Sequence, residues 1–384
     1  MRWAAILLVA ALLGACSTAE DTAAPPNELT DFDAAAALDV AWSGGTGDAF
    51  NRRWVRMAPY VAGGTVYTAN VAGQVTASGA AKGRRQWRVD VDTWLSAGVG
   101  GGNGSLYVGS DEGVLIALDA QDGSERWRRA VNGELLAPPV TAQGAVFVRT
   151  VDGRVLALDP SDGSTRWTYS AIVPSLSLRG NGAPVPVPGG VLVGTDDGKV
   201  VALHQDAGQP LWETTVQEPE GRSPIERMVD VDGSLGIGAG VLYAVSYQGR
   251  IVQIEPKKGQ IQWSREMSSY AGLSVDGGRI YVSDADSNVR ALEPDSGATL
   301  WRQDKLAHRR LTAPVPIPGT DYLVVGDFDG YVHVLSRADG RIVARARAGD
   351  FGILADPVAI GEGRFVVQTQ GADVVAYDVR PLDE

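Results

Sequence analysis

The sequence predicts an all-β fold, an eight-bladed β-propeller of four-stranded antiparallel blades. Three observations point there: a unit recurring about every forty residues, short alternating strands set off by Asp-Gly turns, and two chain ends that each hold part of a blade. The repeat is plainest where VLIALDAQDGSERW ends at Trp127 and VLALDPSDGSTRW at Trp167. Further copies end at Trp87, Trp212, Trp263 and Trp301, each with a glycine four residues earlier. A seventh, VHVLSRADGRIVA, keeps Gly340 but has Ala344 at the tryptophan position. A ring at one fixed place per blade fills the wedge between neighbouring blades, so Ala344 predicts a looser or differently filled wedge.

Between these markers lie apolar runs such as SLYVGS, AVFVRT, RIYVSD and DYLVVGD, with turn pairs such as Asp152-Gly153 and Asp329-Gly330. Alternation bounded by such turns is the pattern of antiparallel hairpins, and helical periodicity is absent after the leader. The carboxy-terminal stretches ILADPVAI, RFVVQTQ and ADVVAYDV supply three strands of a last blade. The early stretch LDVAWSGG, with Trp42, supplies the fourth. Joining the ends closes the ring and leaves no open stack edge.

The first sixteen residues, MRWAAILLVAALLGAC, hold one basic residue (Arg2), an apolar run from Trp3 to Leu13, and small residues ending at Cys16, the single cysteine. That run is too short to span a bilayer and has the layout of an export signal. The LLGAC ending is similar to the lipobox of bacterial lipoproteins, in which cleavage before cysteine leaves that residue carrying acyl chains. The similarity implies a leader at 1–15, acylated Cys16 and a flexible linker over 16–37, and the propeller at 38–384. Ser17, in place of the aspartate that favours inner-membrane retention, implies the periplasmic side of an outer membrane, held by the lipid. With Cys16 acylated no disulfide forms within the chain, so the core alone must hold it. The formal charge of −12 argues against nucleic acid and against adhesion to anionic lipid.

Topology singles out one face. Strands of a blade turn alternately at two faces, so every loop from a fourth strand to the next first strand lies on the same face, together with the acidic turns SDEG, TVDG, TDDG, SDADS and GDFDG. Two of these loops are long. PSLSLRGNG (174–182) and QEPEGRSPIERMVDVD (217–232) stretch the tryptophan spacing from forty residues, Trp127 to Trp167, to forty-five and then fifty-one. Leu176 and Leu178 offer apolar area, Arg179 a forked donor, and Asp230 and Asp232 acceptors on the adjoining loop, which is the composition of a protein-binding surface. Alternatively, the leucines fold back onto the blades and Arg179 pairs with Asp230 or Asp232. The acidic turns read as Asp-Gly hairpin chemistry rather than as calcium loops.

The pattern Ala-x-Asp-x-x-x-Gly-x-x-x-Trp resembles the repeat of quinoprotein-type propellers. With the lipobox, the polar linker, PSLSLRG, IERMVDVD, HRRLTAPV and GYVHVLSRADGRIVA, the whole chain resembles the BamB family, propeller lipoproteins of the outer-membrane β-barrel assembly machinery. The resemblance implies a non-catalytic scaffold that aids insertion of barrel proteins. It also implies that Leu176, Leu178, Arg179, Asp230 and Asp232 contact the POTRA domains of BamA, the barrel-inserting subunit. Unfolded outer-membrane proteins are a further expected partner, taken on strand edges of the blades.

Enzyme signatures are missing. A quinoprotein dehydrogenase is the strongest catalytic reading, yet such enzymes are longer, with inserted cofactor-caging loops. No cofactor or metal is expected: His204, His308 and His333 lack metal-type spacing, no Gly-x-Ser-x-Gly occurs, and GVGGGNG (98–104) opens no helix. The competing binding reading is a free-standing periplasmic propeller with a small ligand or glycan in its channel. The expected innermost strands, APPVTAQG, APVPVPGG and APVPIPGT, offer that ligand little aromatic surface.

Overall fold

A computed structural model describes residues 24–47, 55–180 and 182–382. The leader, Cys16 and Asn181 lie outside the described residues. Eight four-stranded antiparallel sheets form, seven of them running in chain order from an innermost strand of two to four residues to an outer edge. The first comprises Tyr60–Ala62, Thr65–Ala69, Gln74–Gly79 and Arg85–Asp90. The eighth joins the chain ends, Ala36–Gly45 pairing antiparallel with Asp373–Pro381 from Ala36 opposite Pro381 to Gly45 opposite Asp373. The described propeller thus begins at Ala36, two residues before the expected boundary. The middle strands carry the core, where Thr65–Ala69, Ser105–Gly109 and Ala145–Arg149 are buried at every position.

The Gly-x-x-x-Trp signature is a docking device between blades. In every copy one extra residue precedes the tryptophan in the outer strand, a bulge that re-aims its ring. Each indole then donates to a carbonyl of the following blade: Trp87 to Ala120 (3.2 Å), Trp127 to Pro160 (3.0 Å), Trp167 to Gln205 (2.8 Å), and likewise onward to Trp301 and Arg337 (2.9 Å). The motif glycine of that following blade lies under the ring. At Gly163 (φ +72°) a Cβ would stand 2.7 Å from Trp127 Cε3, so position and conformation both call for glycine. Trp42 makes the same contact from the eighth blade to the first, donating to Ala80 at 2.8 Å beside Gly83.

Ala344 follows from that logic. The eighth blade's last two strands come from opposite chain ends, so no hairpin joins them and no motif glycine waits for a ring from the seventh. Ala36 and Val379 fill the wedge instead, packing with Val343 and Ala344. The expected flexible linker is also docked over its last part: Asn27 N donates to Ala307 O at 3.0 Å, and Leu29 and Phe32 lie against Leu306, Leu311 and Ile342.

Candidate functional site

The two long loops leave the fourth strands Thr165–Ser170 and Pro210–Thr215 and lie side by side on the loop face. The first keeps Leu176 and Leu178 in water, 39% and 36% exposed, so the leucines do not fold back. Its shape depends on the second loop. Leu178 N donates to Asp230 Oδ1 at 2.8 Å, Arg179 adopts a left-handed φ of +58°, and Gly180 passes so close to the Asp232 carboxylate that no Cβ fits. In the second loop Ser223 and Glu226 form a reciprocal cap: Arg222 N and Ser223 N donate to Glu226 Oε2 (2.7 and 3.0 Å), and Glu226 N donates to Ser223 Oγ (3.2 Å). Those amide bonds hold the Glu226 carboxyl below its usual pKa.

The aspartates behave differently from the leucines. Asp230 and Asp232 are buried, at 0% and 4% exposure, and neither meets Arg179, whose guanidinium pairs instead with Glu134 of the preceding loop. The alternative in which Arg179 pairs with Asp230 or Asp232 is therefore not the arrangement found. The reason lies in Arg149, which no repeat or motif singles out: at the buried end of Ala145–Arg149, it pairs with Asp196 and stands 3.6 Å from Asp232 Oδ1. Asp196, Asp230 and Asp232 bring carboxylate oxygens within 4.8 Å of one another. Such spacing suits a metal ion, but the cation in place is the guanidinium.

Three acids to one base leave excess negative charge in a dry place. Burial, more than the neighbouring acids, pushes the Asp232 carboxyl well above its usual range despite Arg149, and burial raises Asp230 against the lowering effect of the Leu178 amide. Among the described residues, Asp230 Oδ2 and both Asp232 oxygens have no hydrogen-bond partner. Chemically, the cluster is an ionic tie beneath the two loops.

Other expected features fall into place on the same face. Asp284 and Asp327 do perform turn chemistry, accepting from Asn288 N (2.8 Å) and Tyr331 N (2.9 Å). His333 is fully buried, its Nε2 2.9 Å from Asp327 Oδ2, a structural histidine. Apolar residues missed at first enlarge the surface: Ile172 (72% exposed) and Val173 (37%) in the first loop, and Ile225 (61%) in the second. Their signal was readable, since inter-blade loops have no core to fill. Beside Leu178 and Arg179 the axial funnel opens, about 1100 Å³, lined also by Tyr247, Tyr270 and Arg56.

Comparison with known proteins decides the family. The family model described as outer membrane protein assembly factor BamB matches residues 71–289 and 285–383. The chain belongs to the BamB family. A BamB of Pseudomonas aeruginosa is 44% identical over 382 residues, spanning 99% of this chain and 100% of its own length. The crystal structure of BamB from Moraxella catarrhalis superposes with a TM-score of 0.81 at 28% identity, over 89% of this chain and 100% of that one. A quinohemoprotein alcohol dehydrogenase from Pseudomonas putida reaches a TM-score of 0.72 at 15% identity over 90% of this chain and 77% of its own, a likeness of fold alone.

Proposed function

We propose that this BamB-family chain is a non-catalytic scaffold of outer-membrane β-barrel assembly, anchored by acyl chains on Cys16 at the periplasmic side of the outer membrane. In this reading it presents its loop face to the POTRA domains of a BamA-type barrel protein. The observation that carries the reading is the pair of adjoining loops: five exposed apolar residues, Ile172, Val173, Leu176, Leu178 and Ile225, beside a half-exposed Arg179, all held by a buried ionic tie. An apolar patch with an arginine at its edge on a rigid base fits a protein partner. Leu176, Leu178 and Arg179 make direct contact. Asp230 and Asp232 act from beneath by positioning the first loop, as the Asp230 bond to Leu178 N supports. Unfolded barrel proteins are a second partner, met on outer blade edges such as Pro210–Thr215, where Leu211 is 56% exposed.

The test is a binding isotherm between the soluble chain beginning after Cys16 and the isolated POTRA domains of the same organism's BamA. Arg179→Glu and the Leu176→Ala, Leu178→Ala pair, each with unchanged melting, should abolish or greatly weaken binding. Full binding by both variants would refute the assignment. The funnel, with Tyr247 and Tyr270 at its mouth, favours a second reading in which a small ligand sits on the axis. Absence of POTRA binding well into the micromolar range would turn attention there.

A further inference from the structure

The amino-terminal segment does more than connect. From Asn27 it is bonded to the loop between the sixth and seventh blades: Asn27 N to Ala307 O (3.0 Å), Asn27 Nδ2 to Asp304 O (3.2 Å), and Arg309 Nη1 to Asn27 O (3.1 Å). Arg309 is itself buried and fixed by Asp327 at 2.7 Å. The segment then crosses the outer edge of the seventh blade, where Arg345 donates to Thr30 O at 3.1 Å and lies 4.9 Å over the Phe32 ring. Leu29 and Phe32 turn inward, and Ala35 N closes the crossing on Val343 O at 3.0 Å.

The two ends of this crossing lie on opposite faces. Ala307 belongs to an inter-blade loop, hence to the loop face. Ala36 is paired with Pro381, the far end of the last strand, and Val343 adjoins the hairpin that closes Ser336 on Arg341, both on the other face. So the point where the chain leaves the propeller is set by the clamp. Unclamped, the leash from Cys16 would start at Ala36 on the hairpin face and could reach roughly 70 Å for its twenty residues. Clamped, it starts at Asn27 on the loop face, and its eleven residues reach at most about 40 Å.

We infer that residues 27–35 form an orienting clamp that turns the loop face, with its partner-binding loops, toward the lipid surface and keeps it close. This rests on the proposed anchor at Cys16. The missing tryptophan belongs to the same arrangement, since the segment enters the seventh blade's edge beside Ala344.

The test uses the lipidated full chain in vesicles carrying an energy-acceptor headgroup. Because Cys16 is acylated, one added cysteine is a unique dye site: Asp350→Cys on the loop face or Ala338→Cys on the hairpin face, both exposed positions. The faces are separated by a six-residue strand, roughly 20 Å, so transfer from position 350 should exceed that from 338 severalfold. Leu29→Ser with Phe32→Ser, which frees the clamp while leaving the blades' own residues untouched, should erase the difference. Arg345→Ala, acting from the blade side, should reduce it. Flotation with the vesicles separates the two possible failures. A chain that does not float refutes the anchor and the clamp's orienting role with it. A chain that floats with equal transfer from both sites, or keeps its asymmetry when Leu29 and Phe32 are replaced, refutes the clamp alone.

Discussion

Replacing Arg149 with methionine should be the most damaging single change beneath the candidate binding surface. The side chain is 94% buried, pairs with Asp196, and among the described residues is the cation that stands beside Asp232. Removing one partner of a buried ion pair typically costs about 3–5 kcal/mol, because the remaining charge stays in a dry site. Here Asp196 loses its close partner, so a cost within that range is expected. The pH dependence has a definite sign. Asp230 and Asp232 have raised folded-state pKa values, so their protonated forms favour folding, and stability falls as pH rises through those values. Without Arg149 the Asp232 carboxyl shifts further up. The stability gap between variant and wild type should therefore widen as pH rises above the ordinary carboxylate range, and Arg149→Met with Asp232→Asn should recover part of it. Urea denaturation at several pH values, read at constant slope, measures this. A gap under about 1 kcal/mol, the scale of an exposed pair, or one independent of pH, would refute the ionic tie.

Other expectations follow from the blade contacts. Gly163→Ala, forcing a Cβ into Trp127 at a left-handed φ of +72°, should lower stability by about 2–3 kcal/mol in denaturant titration. Ala344→Trp restores the repeat yet should destabilise by about 1–3 kcal/mol, because Ala36 and Val379 already fill the wedge. Trp167→Phe leaves the Gln205 carbonyl without its 2.8 Å donor and should cost about 1–3 kcal/mol. His333 is held below its usual pKa by burial, opposed by Asp327, so its contribution is intact above the unfolded-state value and is lost as pH falls through the folded one. Melting curves of His333→Gln should accordingly show a weaker acid sensitivity than wild type.

The ring and its closure were legible because they are written in periodic residues: glycine and tryptophan at fixed spacing, apolar alternation, and a lone tryptophan strand at the start to match three strands at the end. The face carrying the long loops followed from strand alternation alone. What the sequence hid was which acids meet which bases. Arg149 sits at the end of an ordinary core strand, forty-seven residues before Asp196 and eighty-three before Asp232, and only the ring brings the three together. Asp230 and Asp232 looked like surface acceptors because acids usually are; Val229 and Val231, buried alternately with them, draw the whole stretch inward. The docking of residues 27–35 was hidden for a similar reason, since its polar composition reads as a linker and its partners lie some 280 to 315 residues away.

The most direct test of the account is a hydrogen-exchange footprint of the chain with and without the POTRA domains of its organism's BamA-type protein. Added protection over residues 172–180 and 225–232, with none at hairpins of the opposite face such as 120–123 and 160–163, is the predicted result. Protection confined to those hairpins or to the outer blade edges, with the two loops unchanged, would contradict it.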